Sequence, residues 1–169
     1  HTVGLRGTGS HDVVLEDLLV SDTWCGVVDN NSLPIPDLPF YRLPSALRFP
    51  FPKTGVAAGL ASRAIADFKE LTQSKTPLTS KKKLRDRPDA ATSIAKAEAL
   101  VGAGQAWVFE QLETIWTAAE RGDEVSDQTH AKVRLACSWS VQNAISAIQH
   151  LVDAAGSTAN FEGSGLMAL

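Results

Sequence analysis

Two long segments with apolar or small residues at every third or fourth position constrain the fold of this chain more than any other feature. The first covers about residues 89–121 and the second ends at Ala155. Their stripes contain Ile94, Ala97, Val101, Gly104, Val108, Leu112, Ile115 and Ala119, then Cys137, Val141, Ala144, Ile148, Leu151 or Val152, and Ala155. This spacing is typical of α-helices that bury one face. Because only a short loop separates the two segments, we expect them to pack antiparallel as half of a helical bundle.

The residues at the ends of these segments support the same interpretation. Gly122 can end the first helix, because glycine readily adopts the left-handed conformation of a helix C-cap. Ser126 or Asp127 can cap the start of the second helix, and Gly156 stops it. The stripes are rich in Ala, Gly and Ser, which permits a close approach of the two helices.

A third helix is predicted over residues 55–73, where one side carries Val56, Leu60, Ala64, Phe68 and Leu71. It would form a third wall of the bundle. No fourth long helix is predicted, so one apolar face would stay uncovered unless another chain or a further segment covers it. We therefore expect this chain to be a fragment, truncated at both ends.

The first 54 residues differ in character from the rest. Residues 1–28 carry a β signal, in which Val13 and Leu15 begin an alternation of apolar and acidic residues. Residues 29–54 contain six of the eight prolines, which predicts an irregular connector with at most a short helical turn. The expected fold is mainly α: a short β segment (1–28), a Pro-rich connector (29–54) and a helical bundle (55–169).

Composition excludes several classes of function. Charged residues make up 21% of the chain and the net charge is −3, so neither nucleic acid nor a membrane surface is expected as a partner. No apolar run is long enough for a membrane span, and no leader for secretion is recognisable. Cys25 and Cys137 have no CxxC spacing and fit a reducing compartment. We expect a cytoplasmic protein.

Three segments offer polar groups to a ligand, and each has an alternative interpretation. Residues 8–10, TGS, can form a backbone cradle for an anion or a plain turn. Residues 80–88, SKKKLRDRP, can anchor a phosphate near a helix N-terminus or form a solvated loop. Residues 154–165, AAGSTANFEGSG, can contact a ligand or simply end a helix. The four histidines show no metal-binding spacing, so we expect no metal site. Trp107, Trp116 and Trp139 are expected to pack between helices.

Three separated segments together resemble one family. They are GLRGTGSHDVVLEDLLVSD, RPDAATSIAKAEALVGAGQAW and HAKVRLACSWSVQNAISAIQHLVDAAGSTANFEGSGL. The first is similar to the strand that closes the middle β-domain of acyl-CoA dehydrogenase-like proteins, and the other two are similar to long helices of their C-terminal bundle. The TGS triplet resembles the form of this motif in the flavin-dependent monooxygenase branch of the family. That branch includes two-component aromatic hydroxylases and desulfurisation enzymes.

The resemblance implies an architecture and an assembly. It covers nearly the whole chain but only about the last two-fifths of a family member. An N-terminal helical domain and most of the β-domain would precede His1. A last helix, with an Arg-Asp pair and a histidine near the flavin, would follow Leu169. Members of the family are usually homotetramers built through these C-terminal helices.

The resemblance also implies contacts with flavin. The residues that match are Arg6, Thr8 and Ser10 in the TGS loop, Lys82 and Arg85 in the segment that offers a cation to the flavin phosphate, and Ala155, Gly156, Ser157 and Thr158 in the glycine-rich loop. Ser157 stands where family members usually have a second glycine. The glutamate base of many acyl-CoA dehydrogenases has no convincing counterpart, which favours the monooxygenase branch. No catalytic residue is identified.

The activity implied is that of the intact parent protein, and we expect the fragment alone to be inactive. Reduced flavin, FMN or FAD, would come from a separate reductase, and one oxygen atom of O2 would pass to an aromatic or sulfur-containing small molecule. Two alternatives stay open. The parent could be an acyl-CoA dehydrogenase that uses FAD and a CoA thioester, or the segment could be a helical oligomerisation module with no chemistry of its own.

Overall fold

A computed structural model of the chain describes residues 12–25, 38–78, 80–160 and 166. The chain divides into two compact units, His1–Leu33 and Pro34–Leu169. The second unit contains all five α-helices of the described residues. These are α1 (Pro39–Arg42), α2 (Ser45–Arg48), α3 (Pro50–Ser74), α4 (Pro88–Arg121) and α5 (Asp127–Ala155). Short 3-10 turns cover Leu84–Asp86 and Gly156–Asn160 in the same unit.

Helices α4 and α5 form the predicted antiparallel pair. They approach so closely that a Cβ atom added at Gly104 would lie 3.1 Å from the Cα atom of Ser140. Next to this crossing, Asn143 donates a hydrogen bond from Nδ2 to the carbonyl of Leu100 at 3.1 Å. The small-residue seam and the antiparallel arrangement are therefore confirmed.

The predicted helix ends of α4 and α5 are confirmed too. Gly122 has φ 74° and ψ 20°, and its N–H and that of Asp123 bond to the carbonyls of Ala119 and Ala118. This is a Schellman motif, which only a residue tolerant of the left-handed region completes without strain. At the start of α5, Ser126 Oγ accepts a hydrogen bond from the Thr129 N–H.

Helix α3 begins at Pro50, five residues before the predicted start at position 55. Prolines at positions 50 and 52 fall in the first turn, where a missing N–H costs nothing and the fixed φ suits a helix. The proline-rich segment therefore contributes to the helix, and α1 and α2 occupy more of the expected connector.

Helix α3 runs parallel to α5 and antiparallel to α4. Near its start, Thr54 shares a cavity with Ser140 of α5, and just beyond its end Lys75 contacts Ala155. In between, Lys69 pairs with Glu98 of α4 at 2.5 Å. The main core fills the space among the three helices. Its fully or nearly fully buried members include Ala61, Ala64, Phe68, Leu84, Ala90, Ala97, Ala147, Leu151 and Ala155.

A second core lies at the other end of the α4–α5 pair. Its buried members include Leu43, Leu47, Ile115, Val133 and Cys137. Burial raises the pKa of the Cys137 thiol. Arg42 of α1 reaches the C-terminus of α4, where its Nη1 donates to the carbonyl of Ala119 at 3.0 Å. A cation at the negative end of a helix is stabilising.

Two expectations are not met by the described residues. Residues 12–25 contain no strand, only a 3-10 turn at Asp22–Trp24, and Val13 is 81% exposed. A strand needs a neighbour to pair its backbone groups, and the described part of this unit supplies none. Trp116 and Trp139 are 39% and 54% exposed in this chain, so the prediction that they pack between helices is wrong. A helical period identifies a buried face but does not tell whether a large ring at its edge is covered.

The α4–α5 crossing makes a prediction about stability. Gly104→Ala places a methyl group 3.0 Å from Ser140 Oγ and 3.1 Å from its Cα, so the helices must separate. Overpacking costs about 1–3 kcal/mol, against a helix-propensity gain of up to about 1 kcal/mol. We expect Gly104→Ala to lower the free energy of unfolding by about 1 kcal/mol in urea titrations. Gly102→Ala is the matched control, because nothing lies within 4 Å of its added Cβ. Equal stability of the two variants would contradict the assigned crossing.

Candidate functional site

A cleft of about 600 Å³ opens at the end of the bundle where α3 ends, α4 begins and α5 ends. The three termini meet there because α3 and α5 run in the same direction and α4 runs in the opposite one. The lining mixes charged, hydroxyl and apolar groups. It consists of Lys75, Thr76, Pro77, Leu78, Leu84, Arg87, Asp89, Asp153, Ala154, Ala155, Gly156, Ser157 and Thr158.

The turn of residues 155–158 forms one wall of this cleft. Gly156 ends α5 with φ 60° and ψ −147°, a conformation that side chains with a Cβ rarely adopt. Its N–H bonds to the carbonyls of Val152 and Asp153, which closes the helix end. Ala155 is buried, whereas Gly156 and Ser157 are exposed and Thr158 is half-buried. The turn thus presents small groups to the cleft from a well-anchored backbone.

Lys75 holds this turn from across the cleft. Its Nζ donates to the carbonyl of Ala155 and to Thr158 Oγ1, both at 2.5 Å. Lys75 was not predicted from the sequence as a site residue; the basic run at residues 80–88 was predicted instead. The only sequence signal is its place directly after α3, and that signal has meaning only once α3 and α5 are known to be parallel.

Arg87 and Asp89 form an ion pair at the start of α4. The guanidinium donates to both carboxylate oxygens, at 3.0 Å from Nε and 2.5 Å from Nη2. The Arg87 hydrogen bond is the main cause that lowers the pKa of Asp89, and the Ala90 N–H adds to it at 3.1 Å. The carboxylate also lies in the first helical turn, where negative charge is favoured.

The structure brings four of the nine predicted flavin contacts to the cleft, namely residues 155–158. Lys82 and Arg85 belong to the adjoining loop but do not line the cleft. Lys82 is exposed, and Arg85 donates from Nη1 to Gln73 Oε1 at 3.0 Å. Arg6, Thr8 and Ser10 lie outside the described residues.

A second cavity, of about 580 Å³, lies beside the C-terminal half of α4. We call it the apolar groove. Its lining is apolar except for Arg48 and Glu113 and comprises Phe40, Leu43, Leu47, Arg48, Phe51, Pro52, Phe109, Leu112, Glu113, Ile115 and Trp116. The Arg48 guanidinium lies 5.5 Å from the Phe40 ring centroid, in a cation–π arrangement. The groove resembles a packing surface more than a reaction site.

Residues 12–25, 38–78, 80–160 and 166 contain neither a cluster of metal-ligating side chains nor a helix suited to crossing a membrane. In this part of the chain no three His, Cys, Asp or Glu side chains lie close enough together to hold a metal ion. Nor does any of its helices combine the length and the apolar character that crossing a membrane requires.

The fold and this geometry define a class of protein: a helical bundle domain with a mixed polar and apolar cleft at one end. Residues 53–166 match the family described as acyl-CoA dehydrogenase, C-terminal domain. The chain belongs to this family, as the resemblance of its three segments indicated.

Relatives with assigned activities are similar over most of this chain. An indole-3-acetate monooxygenase from Acinetobacter baumannii is 31% identical over 158 residues, covering 94% of this chain and 40% of that protein. One from Pseudomonas putida is 36% identical over 124 residues, covering 73% and 31%. The flavin-dependent monooxygenase oxygenase subunit HsaA from Mycobacterium tuberculosis is 25% identical over 171 residues, covering 94% and 42%. The chain therefore spans less than half the length of these relatives.

Solved structures agree on the fold. The HsaA monooxygenase from M. tuberculosis superposes with a TM-score of 0.62 at 20% identity, over 77% of this chain and 34% of that one. The 3-HSA hydroxylase from Rhodococcus sp. RHA1 gives the same TM-score at 22% identity, over 77% and 33%. Together with the family match over residues 53–166, these likenesses confirm the predicted bundle of the acyl-CoA dehydrogenase C-terminal type.

The Arg87–Asp89 pair makes a prediction about pH. Because the pKa of Asp89 is lowered, the ion pair contributes its full stabilisation of the folded state above the ordinary Asp pKa of about 3.9. This stabilisation is lost as the pH falls through the lowered pKa. We expect a carboxyl-carbon NMR titration to give Asp89 a pKa below that ordinary value. Arg87→Gln should move it back upward. An identical titration curve in wild type and Arg87→Gln would show that the pair does not form.

Proposed function

We propose that this chain is the C-terminal part of a flavin-dependent monooxygenase that acts on a small aromatic or sulfur-containing molecule. The similarity to the A. baumannii indole-3-acetate monooxygenase, 31% over nearly all of this chain, is the observation that carries the proposal. The division into the end of a β-domain (1–28), a Pro-rich connector (29–54) and a helical bundle (55–169) stays a prediction, although the first long helix of the bundle begins at Pro50. The proposal places the protein in the cytoplasm with a separate flavin reductase as its partner.

Within this proposal, the cleft at the end of the bundle faces the flavin. Its volume lies within the range of about 300–1,000 Å³ typical of ligand and cofactor sites. The small exposed residues Gly156 and Ser157 leave room for a flat ring system, and hydroxyl groups of the same turn can bond to its polar edge. The residues of this cleft therefore fit a flavin, FMN or FAD.

The chain's own residues bind and orient in this mechanism. Bound reduced flavin would supply the chemistry with O2, passing one oxygen atom to the substrate. Ser157 and Thr158 would hold the flavin edge, and the packed ends of the three helices would exclude water behind it. Lys82 and Arg85 stay our candidates for the phosphate contact, and Arg6, Thr8 and Ser10 for the loop near flavin and substrate.

The proposed activity is tested with the full-length protein, chemically reduced FMN or FAD, and 18O2. Indole-3-acetate is the first substrate to try, because two relatives are named for it. We expect mass spectrometry to find one labelled oxygen atom in an organic product when reduced flavin is present, and none when it is omitted. Tightly held FAD that acyl-CoA thioesters reduce, with no labelled product, would instead identify a dehydrogenase.

We further propose that the full-length protein is a homotetramer that uses the apolar groove as a contact surface. Phe109 is 64% exposed and Trp116 is 39% exposed in the groove, an unusual amount of aromatic surface to leave in water. Homo-oligomers commonly bury such patches.

A charge in the groove should weaken this assembly. We expect Phe109→Glu to shift the full-length protein from tetramers to smaller species in mass photometry, because a buried unpaired carboxylate is costly. Thr114→Glu is the matched control, since Thr114 is exposed on α4 but does not line the groove. If both variants stay tetrameric, the groove is not the contact surface.

A further inference from the structure

Lys75 stands at the junction between the end of α3 and the turn that follows α5. Its backbone is fixed on both sides: its N–H donates to the Leu71 carbonyl at 2.9 Å, and its own carbonyl accepts from the Leu84 N–H at 2.9 Å. Leu84 is itself buried in the main core. The starting point of the long side chain is therefore set by the bundle.

The ammonium group binds both ends of the 155–158 turn. The Ala155 carbonyl is one of the helix-terminal carbonyls that lack a partner within the helix. Lys75 Nζ donates to it and also to Thr158 Oγ1, three residues further on. Bonds from a charged donor are stronger than neutral ones. Between these two points the turn contains only Gly156 and Ser157, so one cation fixes its span.

Lys75 also occupies one of the two acceptor lone pairs of the Thr158 hydroxyl. An ammonium group only donates, so Thr158 Oγ1 must accept in this contact. A hydroxyl that accepts still has its own hydrogen to donate, and Thr158 lines the cleft. The Thr158 hydroxyl can therefore still donate its hydrogen toward a carbonyl or phosphate oxygen in the cleft.

We infer that Lys75 is a positioning residue, which holds the 155–158 turn and orients the Thr158 hydroxyl as a donor toward an oxygen acceptor of the bound flavin. This inference rests on the proposed function for the identity of the ligand. The contacts by which Lys75 holds the turn do not depend on any ligand.

The first measurement concerns the turn alone. Amide hydrogen exchange of residues 155–158 is compared, without flavin, in the full-length wild type and in Lys75→Met, which keeps the length but loses the donors. Lys69→Met is the matched control, because Lys69 also makes a 2.5 Å contact, on an exposed part of α3. We expect exchange in the turn to accelerate at least about tenfold in Lys75→Met, because both charged hydrogen bonds to the turn are lost, and to be unchanged in Lys69→Met.

The second measurement is the Kd of the same proteins for photoreduced FMN and FAD under anaerobic conditions. We expect Lys75→Met to raise the Kd about tenfold and Lys75→Arg, which keeps a charged donor, to restore most of the affinity. Thr158→Val should weaken binding similarly, and the double variant should be less than additive, because Lys75 acts partly through Thr158.

The outcomes separate the inference from the proposed function. Unchanged exchange in Lys75→Met overturns the inference whatever the flavin does. Faster exchange with an unchanged Kd, or strict additivity with Thr158→Val, reduces Lys75 to a structural contact and also overturns it. If wild type binds neither reduced flavin while exchange accelerates as expected, the positioning of the turn stands and the proposed function fails.

Discussion

The close crossing of α4 and α5 at Gly104 and Ser140 is the constraint on which the rest of this structure depends. A helix pair that meets with so little space between backbones has a fixed register, because a shift by one residue would bring larger side chains into the seam. That register decides which residues meet at each end of the bundle. It places the start of α4 beside the end of α5, where the cleft opens, and the end of α4 beside Arg42.

The two ends of the bundle use the same physical device for different purposes. At one end Arg42 donates to the last turn of α4, and at the other Lys75 donates to the last residue of α5. Lys75 satisfies the last carbonyl of α5, whereas Arg42 adds a second bond to the Ala119 carbonyl, which also accepts from the Gly122 N–H. Each cation complements the negative end of a helix dipole. Arg42 thereby attaches the short helix α1 to the core. Lys75 instead attaches a turn that faces a cleft, so the same interaction there shapes a surface available to a ligand.

The sequence was most informative where a local rule determines the outcome. Gly122, Ser126 and Gly156 predicted the ends of α4 and α5, since capping depends on residues close in the chain. The predicted start of α3 lies five residues too late, because the prolines were interpreted as a helix break although proline is also favoured in the first turn of a helix. Lys75 could not be selected from the sequence, because its partners are 80 and 83 positions away. The basic run at 80–88 was more conspicuous, yet of the five cations there only Arg87 lines the cleft.

The cleft and the apolar groove are separated along one rigid element. The cleft is lined by Arg87 and Asp89 at the start of α4, whereas the apolar groove is lined by residues of α4 from Phe109 to Trp116. At 1.5 Å per residue the two lie about 30 Å apart along the axis. A charge placed in the groove is therefore too distant and too well screened to act on the cleft directly. If disrupting the groove also weakened flavin binding, the link would have to be assembly itself, with a second copy of the protein completing the cleft.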